Sequence, residues 1–173
     1  MAVPIVPDLI DRHYQSLYRY AFRLSGSAAD AEDLTQETFG KALTRLSQLR
    51  DPERAKPWLF QILRNGYLHR LRDEKRHKLL PLDSVPELPE RFGTGREIEG
   101  IDPEELQKAL NGLEESFRTP LILFYFEDFS YRDIAEQLDL PMGTVMSRLA
   151  RAKAYLKAKL DPNSETQART EGE

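Results

Sequence analysis

Between residues 12 and 78 apolar side chains recur at intervals of three and four, and no alternating valine- or isoleucine-rich run interrupts them. That period belongs to helices, so the segment reads as helical throughout. Helix breakers set the joints. Ser25-Gly26-Ser27 closes a first helix, and Ser27 with Asp30 three residues later forms a capping-box-like start for a second, near 28–47. A third starts near Pro57. On the second helix Ala31, Leu34, Thr35, Phe39, Ala42 and Leu46 share one side. Asp30, Asp33, Gln36, Glu37 and Gly40 share the other, an acidic and hydrogen-bonding face left to solvent or to a partner. The third helix is predicted to bury Leu59, Ile62, Leu63 and Tyr67 and to turn Gln61, Arg64, Asn65 and Arg72 outward, with Trp58 in the core.

The helical period fails from 79 to 103, where Pro81, Pro86, Pro89, Gly93, Gly95, Gly100 and Pro103 fall. This stretch reads as a linker of about 25 residues. Asp102-Pro103 then supplies an N-cap and a first-turn proline, and helices follow to about Leu160. The polar tail from Asp161-Pro162 onward reads as disordered. The fold class is therefore all-α: two small helical domains, 8–78 and 104–160, joined by a flexible linker at 79–103 and followed by a tail at 161–173.

Inside the second domain, Ser130 with Asp133 caps one helix, a turn is predicted at Asp139–Gly143, and another helix starts near Thr144. Ile134, Ala135, Leu138 and Leu140 can pack on Val145 and Leu149, with small Ala135 permitting a close crossing. Val145, Leu149, Ala152, Leu156 and Leu160 form the buried stripe of the last helix. The arrangement is a helix-turn-helix.

Charge sharpens that reading. The formal net charge is -4, but it is segmented: +4 over residues 1–78, -6 over 79–105, +1 over 106–160 and -3 over 161–173. An acidic strip thus separates two basic or neutral blocks, and the overall value says little about partners. From Gly143 to Leu160 stand Arg148, Arg151, Lys153, Lys157 and Lys159 and no acidic residue, whereas Glu127–Asp139 holds five acidic residues against one arginine. A one-sided basic second helix is what phosphate contact requires, since neutralising phosphates releases counterions. The plainer alternative is a helical hairpin with a solvated lysine-rich face. A further basic cluster, Arg70, Arg72, Lys75, Arg76 and Lys78, ends the third helix, and Arg50, Arg54 and Lys56 lie in the loop before it.

Other chemistry is thinly represented. The chain has no cysteine, which removes disulfides and thiol sites and fits a reducing cytoplasm. The three histidines, His13, His69 and His77, lack metal-ligand spacing, so neither a metal nor a cofactor is expected. No signal-peptide pattern and no run of about 18 apolar residues occurs, so no membrane insertion is expected. No nucleophile triad or phosphate loop suggests an enzyme.

Two groups of motifs carry a family resemblance. Ile134-Ala-Glu-Gln-Leu-Asp-Leu-Pro-Met-Gly-Thr-Val-Met-Ser-Arg-Leu-Ala-Arg-Ala resembles region four of the extracytoplasmic-function sigma factors, within the sigma-70 family. Leu17-Tyr-Arg-Tyr-Ala, Asp30-Ala-Glu-Asp-Leu-Thr-Gln-Glu-Thr-Phe and Trp58-Leu-Phe-Gln-Ile-Leu-Arg-Asn resemble that family's region two. The resemblance implies a non-enzymatic subunit that binds core RNA polymerase through the clamp helices of its largest subunit and through the flap. It also implies recognition of two promoter DNA elements, stabilisation of the melted minus-ten strand, and control by an anti-sigma factor. A stand-alone helix-turn-helix regulator is the alternative.

By the same resemblance, Asp30, Asp33, Gln36, Glu37 and Gly40 would grip the polymerase. Arg50, Arg54, Lys56, Asn65, Arg72 and Arg76 would hold minus-ten DNA, with Asn65 and the preceding loop capturing an unstacked base. Thr144, Met146, Ser147, Arg148, Ala150 and Arg151 would meet the minus-thirty-five element. Several positions depart from the family pattern. A basic residue is common where Met146 stands, and an aromatic or histidine where Ala150 stands. That leaves Arg151 as the best bidentate reader and gives Met146 and Ala150 access to a thymine methyl. Asp139 replaces a usual turn glycine, and His69 a common aspartate. The acidic linker would thread through basic channels of the polymerase.

Overall fold

A computed structural model of the chain describes residues 6–77 and 101–161. Among these residues are seven α-helices and two 3₁₀ turns, grouped in two units, Met1–Ser84 and Val85–Glu173. The all-α expectation holds. Most of the expected linker and all of the expected tail beyond Asp161 lie outside the described residues.

The first unit contains α1 (Val6–Ser25), α2 (Ala28–Thr44) and α3 (Ala55–His77), each packed against the other two. Gly26 adopts φ 69°, a left-handed turn that favours glycine, and its N–H donates to the Phe22 carbonyl at 2.7 Å. Ser27 then caps α2, its side chain accepting from the Asp30 N–H. Leu17, Tyr20, Leu24, Ala31, Leu34, Leu59, Phe60 and Leu63 are essentially solvent-free, and Tyr20 stacks on Phe60 with ring centroids 4.7 Å apart. A polar bond ties this core together: the buried Tyr67 hydroxyl donates to the Leu24 carbonyl at 2.9 Å. That carbonyl belongs to the last turn of α1, where intrahelical donors have run out.

Two boundaries and one burial differ from the sequence expectation. α2 stops at Thr44 instead of near 47, because the Arg45 N–H bonds three residues back to Ala42 and the chain enters a 3₁₀ turn at Leu46–Gln48. Leu46 is therefore half-buried and off the helical stripe. α3 starts at Ala55, two residues before Pro57, directly after a second 3₁₀ turn at Pro52–Arg54. In its first turn Trp58, assigned to the core, is only half-buried.

The second unit contains α4 (Pro103–Asn111), α5 (Glu115–Tyr125), α6 (Tyr131–Leu138) and α7 (Met142–Leu160). Asp102 caps α4 as expected, its side chain accepting from the Glu104 N–H. α7 packs on α4, α5 and α6 through Val145, Leu149, Ala152 and Leu156, all buried; Leu160, predicted in this stripe, is half-buried near the helix end. Gly112 gives α4 its close approach to α7, since a Cβ there would strike the Tyr155 hydroxyl. Arg118 closes the α4–α5 joint, its guanidinium donating to the Leu113 carbonyl at 2.5 Å and to the Asn111 carbonyl at 3.3 Å.

Candidate nucleic-acid and polymerase interfaces

The helix-turn-helix is built from its caps inward. The Ser130 side chain accepts from the Asp133 N–H, and the Asp133 carboxylate accepts from the Ser130 N–H, so two otherwise unpaired donors of α6 are satisfied reciprocally. α6 ends at Asp139, which takes φ 52° and ψ 52°. An aspartate tolerates this left-handed conformation better than most residues, which is why the family's usual glycine is dispensable here. The Leu140 N–H returns to the Ala135 carbonyl, and the Pro141 carbonyl accepts from the N–H groups of both Thr144 and Val145. α7 accordingly begins at Met142 rather than near Thr144, one half-turn earlier than predicted. Gly143, read as part of the turn, is helical.

This start sets what α7 presents. Met146, Ser147 and Arg151 are exposed, Thr144 and Ala150 half-buried. Arg148 is also half-buried and turns toward α5, its Nη1 lying 3.4 Å from the Ser116 carbonyl. Pro120 explains the attraction: standing four residues after Ser116 within α5, it has no N–H to offer that carbonyl. Arg148 is thus partly committed inside the unit, while Arg151 is presented outward.

In the first unit all five predicted polymerase-binding residues, Asp30, Asp33, Gln36, Glu37 and Gly40, are exposed along α2. The face is not purely acidic, however. Arg70, expected among the DNA-facing cations of α3, reaches across to α2. Its Nη2 donates to Glu37 Oε2 at 3.1 Å, and its Nη1 lies 3.9 Å from Asp30. Lys41 holds the other oxygen of Glu37 at 2.7 Å. The hydrogen bond from Lys41, with help from that of Arg70, lowers the Glu37 pKa despite an opposing contribution from burial. Helix periodicity cannot reveal such a pairing between helices. Sequence reasoning also missed Leu43, 47% exposed one turn beyond Gly40, where an apolar side chain without internal use extends the face.

The predicted minus-ten residues are dispersed around α3. Arg50 and Arg54 are exposed on the loop, whose second 3₁₀ turn is fixed by the Asp51 carboxylate accepting from the Glu53 N–H at 3.0 Å. Lys56 is half-buried, its ammonium 5.6 Å from the Phe60 ring centroid, so it is less available than the spacing suggested. Asn65 and Arg72 are exposed on α3, whereas the side chain of Arg76 lies outside the described residues. His69 is exposed, with Nδ1 3.3 Å from the Asp73 carboxylate.

Comparison with known proteins joins the two units into one assignment. The Sigma-70 region 2 family matches residues 9–77, and the Sigma-70 region 4 family matches residues 103–156. The RNA polymerase sigma factor SigV of Bacillus subtilis is 32% identical over 87% of this chain and 88% of its own length. The chain belongs to the sigma-70 family, in its extracytoplasmic-function branch.

The ECF RNA polymerase sigma factor SigE of Mycolicibacterium smegmatis is similar to this sigma factor at 34% identity over 98% of the chain, which spans 66% of that relative's length. Among solved structures, the sigma factor RpoE of Bartonella quintana, crystallised with the anti-sigma factor NepR, matches with a TM-score of 0.71 and 31% identity. That match covers 87% of the sigma factor and 93% of the solved chain. The alternative of a stand-alone helix-turn-helix regulator is not favoured, because α1–α3 match a sigma region rather than an effector or dimerisation domain. Among the described residues no helix is long and apolar enough to cross a membrane.

Proposed function

We propose that this sigma factor works in the cytoplasm by binding alone, dividing promoter recognition between its two units, with 79–103 as the acidic connection. The exposed α2 face, Asp30, Asp33, Gln36, Glu37 and Gly40, docks on basic clamp helices of core polymerase, and the second unit meets the flap. Asn65 and the Arg50–Lys56 loop hold an unstacked base of the minus-ten strand, with Arg72 and Arg76 following its backbone. α7 enters the major groove of the minus-thirty-five element, where Arg151 is the candidate bidentate contact, Met146, Ser147 and Ala150 meet base edges, and Thr144 and Arg148 lie toward phosphates. An anti-sigma factor is the inferred regulatory partner, as in the solved RpoE complex.

The observation that best supports this reading is the coincidence of the acidic face on α2 with a basic, acid-free α7 in the same chain. Neither surface alone distinguishes a polymerase subunit from a simple DNA-binding protein. The test is a promoter-binding titration with and without core polymerase. Specific binding should require core, and Asn65→Ala should reduce permanganate reactivity of the minus-ten region more than it reduces closed-complex affinity. Tight specific binding by the free chain, or unchanged permanganate footprints, would overturn it.

A further inference from the structure

Met142 and Met146 are, among the described residues of the second unit, the two most exposed large apolar side chains, at 48% and 50%. Met142 was not among the residues singled out by sequence, because α7 was expected to begin after it. With the helix starting at Met142, the two methionines stand four residues apart within its first two turns and share a face.

The same helical row continues through Ala150, Lys153 and Lys157, with steps of three or four residues. It is apolar for its first two turns and basic for its last two. The buried stripe of α7 runs through Val145, Leu149, Ala152 and Leu156, so the methionine row is not needed for packing inside the unit. A solvated helix face would ordinarily carry polar groups in both positions. Two adjacent exposed methionines at the leading end of a helix with five cations and no carboxylate from Gly143 to Leu160 imply a ligand that is anionic overall but offers an apolar group there. Duplex DNA has one such group in its major groove, the C5-methyl of thymine. Recognition helices also reach base edges with their N-terminal residues while later residues approach the backbone, the order seen along this row. The unbranched, polarisable thioether side chain suits contact with a small methyl whose position varies with local groove shape.

We propose that Met142 and Met146 form a methyl-reading pair that selects thymine at adjacent positions of the upstream promoter element. This rests on the reading of α7 as the helix that meets that element. It adds a specificity-determining residue, Met142, to the methyl contact open to Met146 and the guanidinium readout of Arg151.

The experiment uses holoenzyme reconstituted from the full chain and core polymerase, with a promoter selected from a random-sequence library. Each thymine of the upstream element is replaced singly by deoxyuridine, which lacks only the methyl group. The expected result is a loss of about fourfold in affinity at one or two positions, the equivalent of one methyl-sized apolar contact. That sensitivity should vanish in Met142→Gln and Met146→Gln and persist in Met146→Leu, with circular dichroism of each variant confirming the fold. Indifference to deoxyuridine at every position, while the upstream element is still protected from nuclease, would overturn the methyl-reading pair and leave the α7 assignment standing. Absence of any upstream protection would overturn that assignment itself. Methionine variants that weaken core polymerase binding without changing the deoxyuridine ratio would show a protein-docking patch and so overturn the proposal.

Discussion

Charge reversal on α2 separates the role of the acidic face in binding from its role in folding, and the structure predicts different outcomes at two positions one turn apart. Glu37 sits between Lys41 at 2.7 Å and Arg70 at 3.1 Å, with all three side chains 34–42% exposed. At that exposure each pair contributes about 0.2–1 kcal/mol. Glu37→Lys removes both attractions and adds a like-charge i,i+4 contact with Lys41, costing about 0.2–0.5 kcal/mol, and a similar repulsion from Arg70. Relief of the like-charge contact between Asp33 and Glu37 offsets about 0.2–0.5 kcal/mol of this, and the expected destabilisation of the first unit is about 0.5–2 kcal/mol. Asp33 is also exposed on α2, and its carboxylate forms no ion pair or hydrogen bond with the described residues. It stands four residues before Glu37 with the same charge. Asp33→Lys removes that repulsion and should leave stability within about 0.5 kcal/mol. Trp58, the only tryptophan, lies in α3, so its fluorescence in a urea titration reports this unit.

Both variants should weaken binding to core polymerase at least about tenfold, or 1.4 kcal/mol, in a direct titration. Asp33→Lys is the cleaner probe, because a loss there cannot be assigned to unfolding. An unchanged affinity for Asp33→Lys would refute α2 as the polymerase-binding face. Equal urea midpoints for the two variants would refute the contribution of the Arg70–Glu37–Lys41 network.

Three further outcomes are expected. A Cβ at Gly40 would meet nothing within 4 Å, so Gly40→Ala should stabilise the free chain by about 0.5–1 kcal/mol while lowering affinity for core by crowding the face; equal or tighter binding would show that the bare backbone serves no partner. Ser130→Ala removes the cap of α6 and should cost about 1 kcal/mol, read by circular dichroism during urea unfolding of the second unit, and a midpoint identical to wild type would discount the capping box. Burial first, and then the charges of Lys56 and Arg12, lower the pKa of His13 below 6.5, so the unfolded chain binds more protons in that range. Its stabilising contribution is therefore fully present above pH 6.5 and is lost as pH falls through the lowered folded value, and His13→Gln should flatten this part of the Trp58 urea-midpoint profile against pH. Parallel profiles for variant and wild type would count against it.

The sequence by itself determined the helices and their faces. Periodicity placed Leu34, Leu59, Leu63, Val145 and Leu149 in the interior, and local capping chemistry at Ser27, Asp102 and Ser130 marked where helices begin, because both effects act within one or two turns of the chain. It also exposed the acidic residues of α2 and the outward position of Arg151, which follow from the same geometry. What lay beyond it were interactions set by distance in space. The capture of Arg70 by Glu37 joins residues 33 positions apart, and the turn of Arg148 toward Ser116 joins residues 32 apart across a carbonyl orphaned by Pro120. The first residue of α7 was set by local turn geometry that the helical period does not record: the Pro141 carbonyl accepts from the Thr144 and Val145 N–H groups directly after the left-handed Asp139, so the helix gains Met142 and with it a second exposed methionine. Helical periodicity records which residues share a face of one element; the partner that a charged side chain finds on another element depends on how the elements pack, and that is settled only when the core closes.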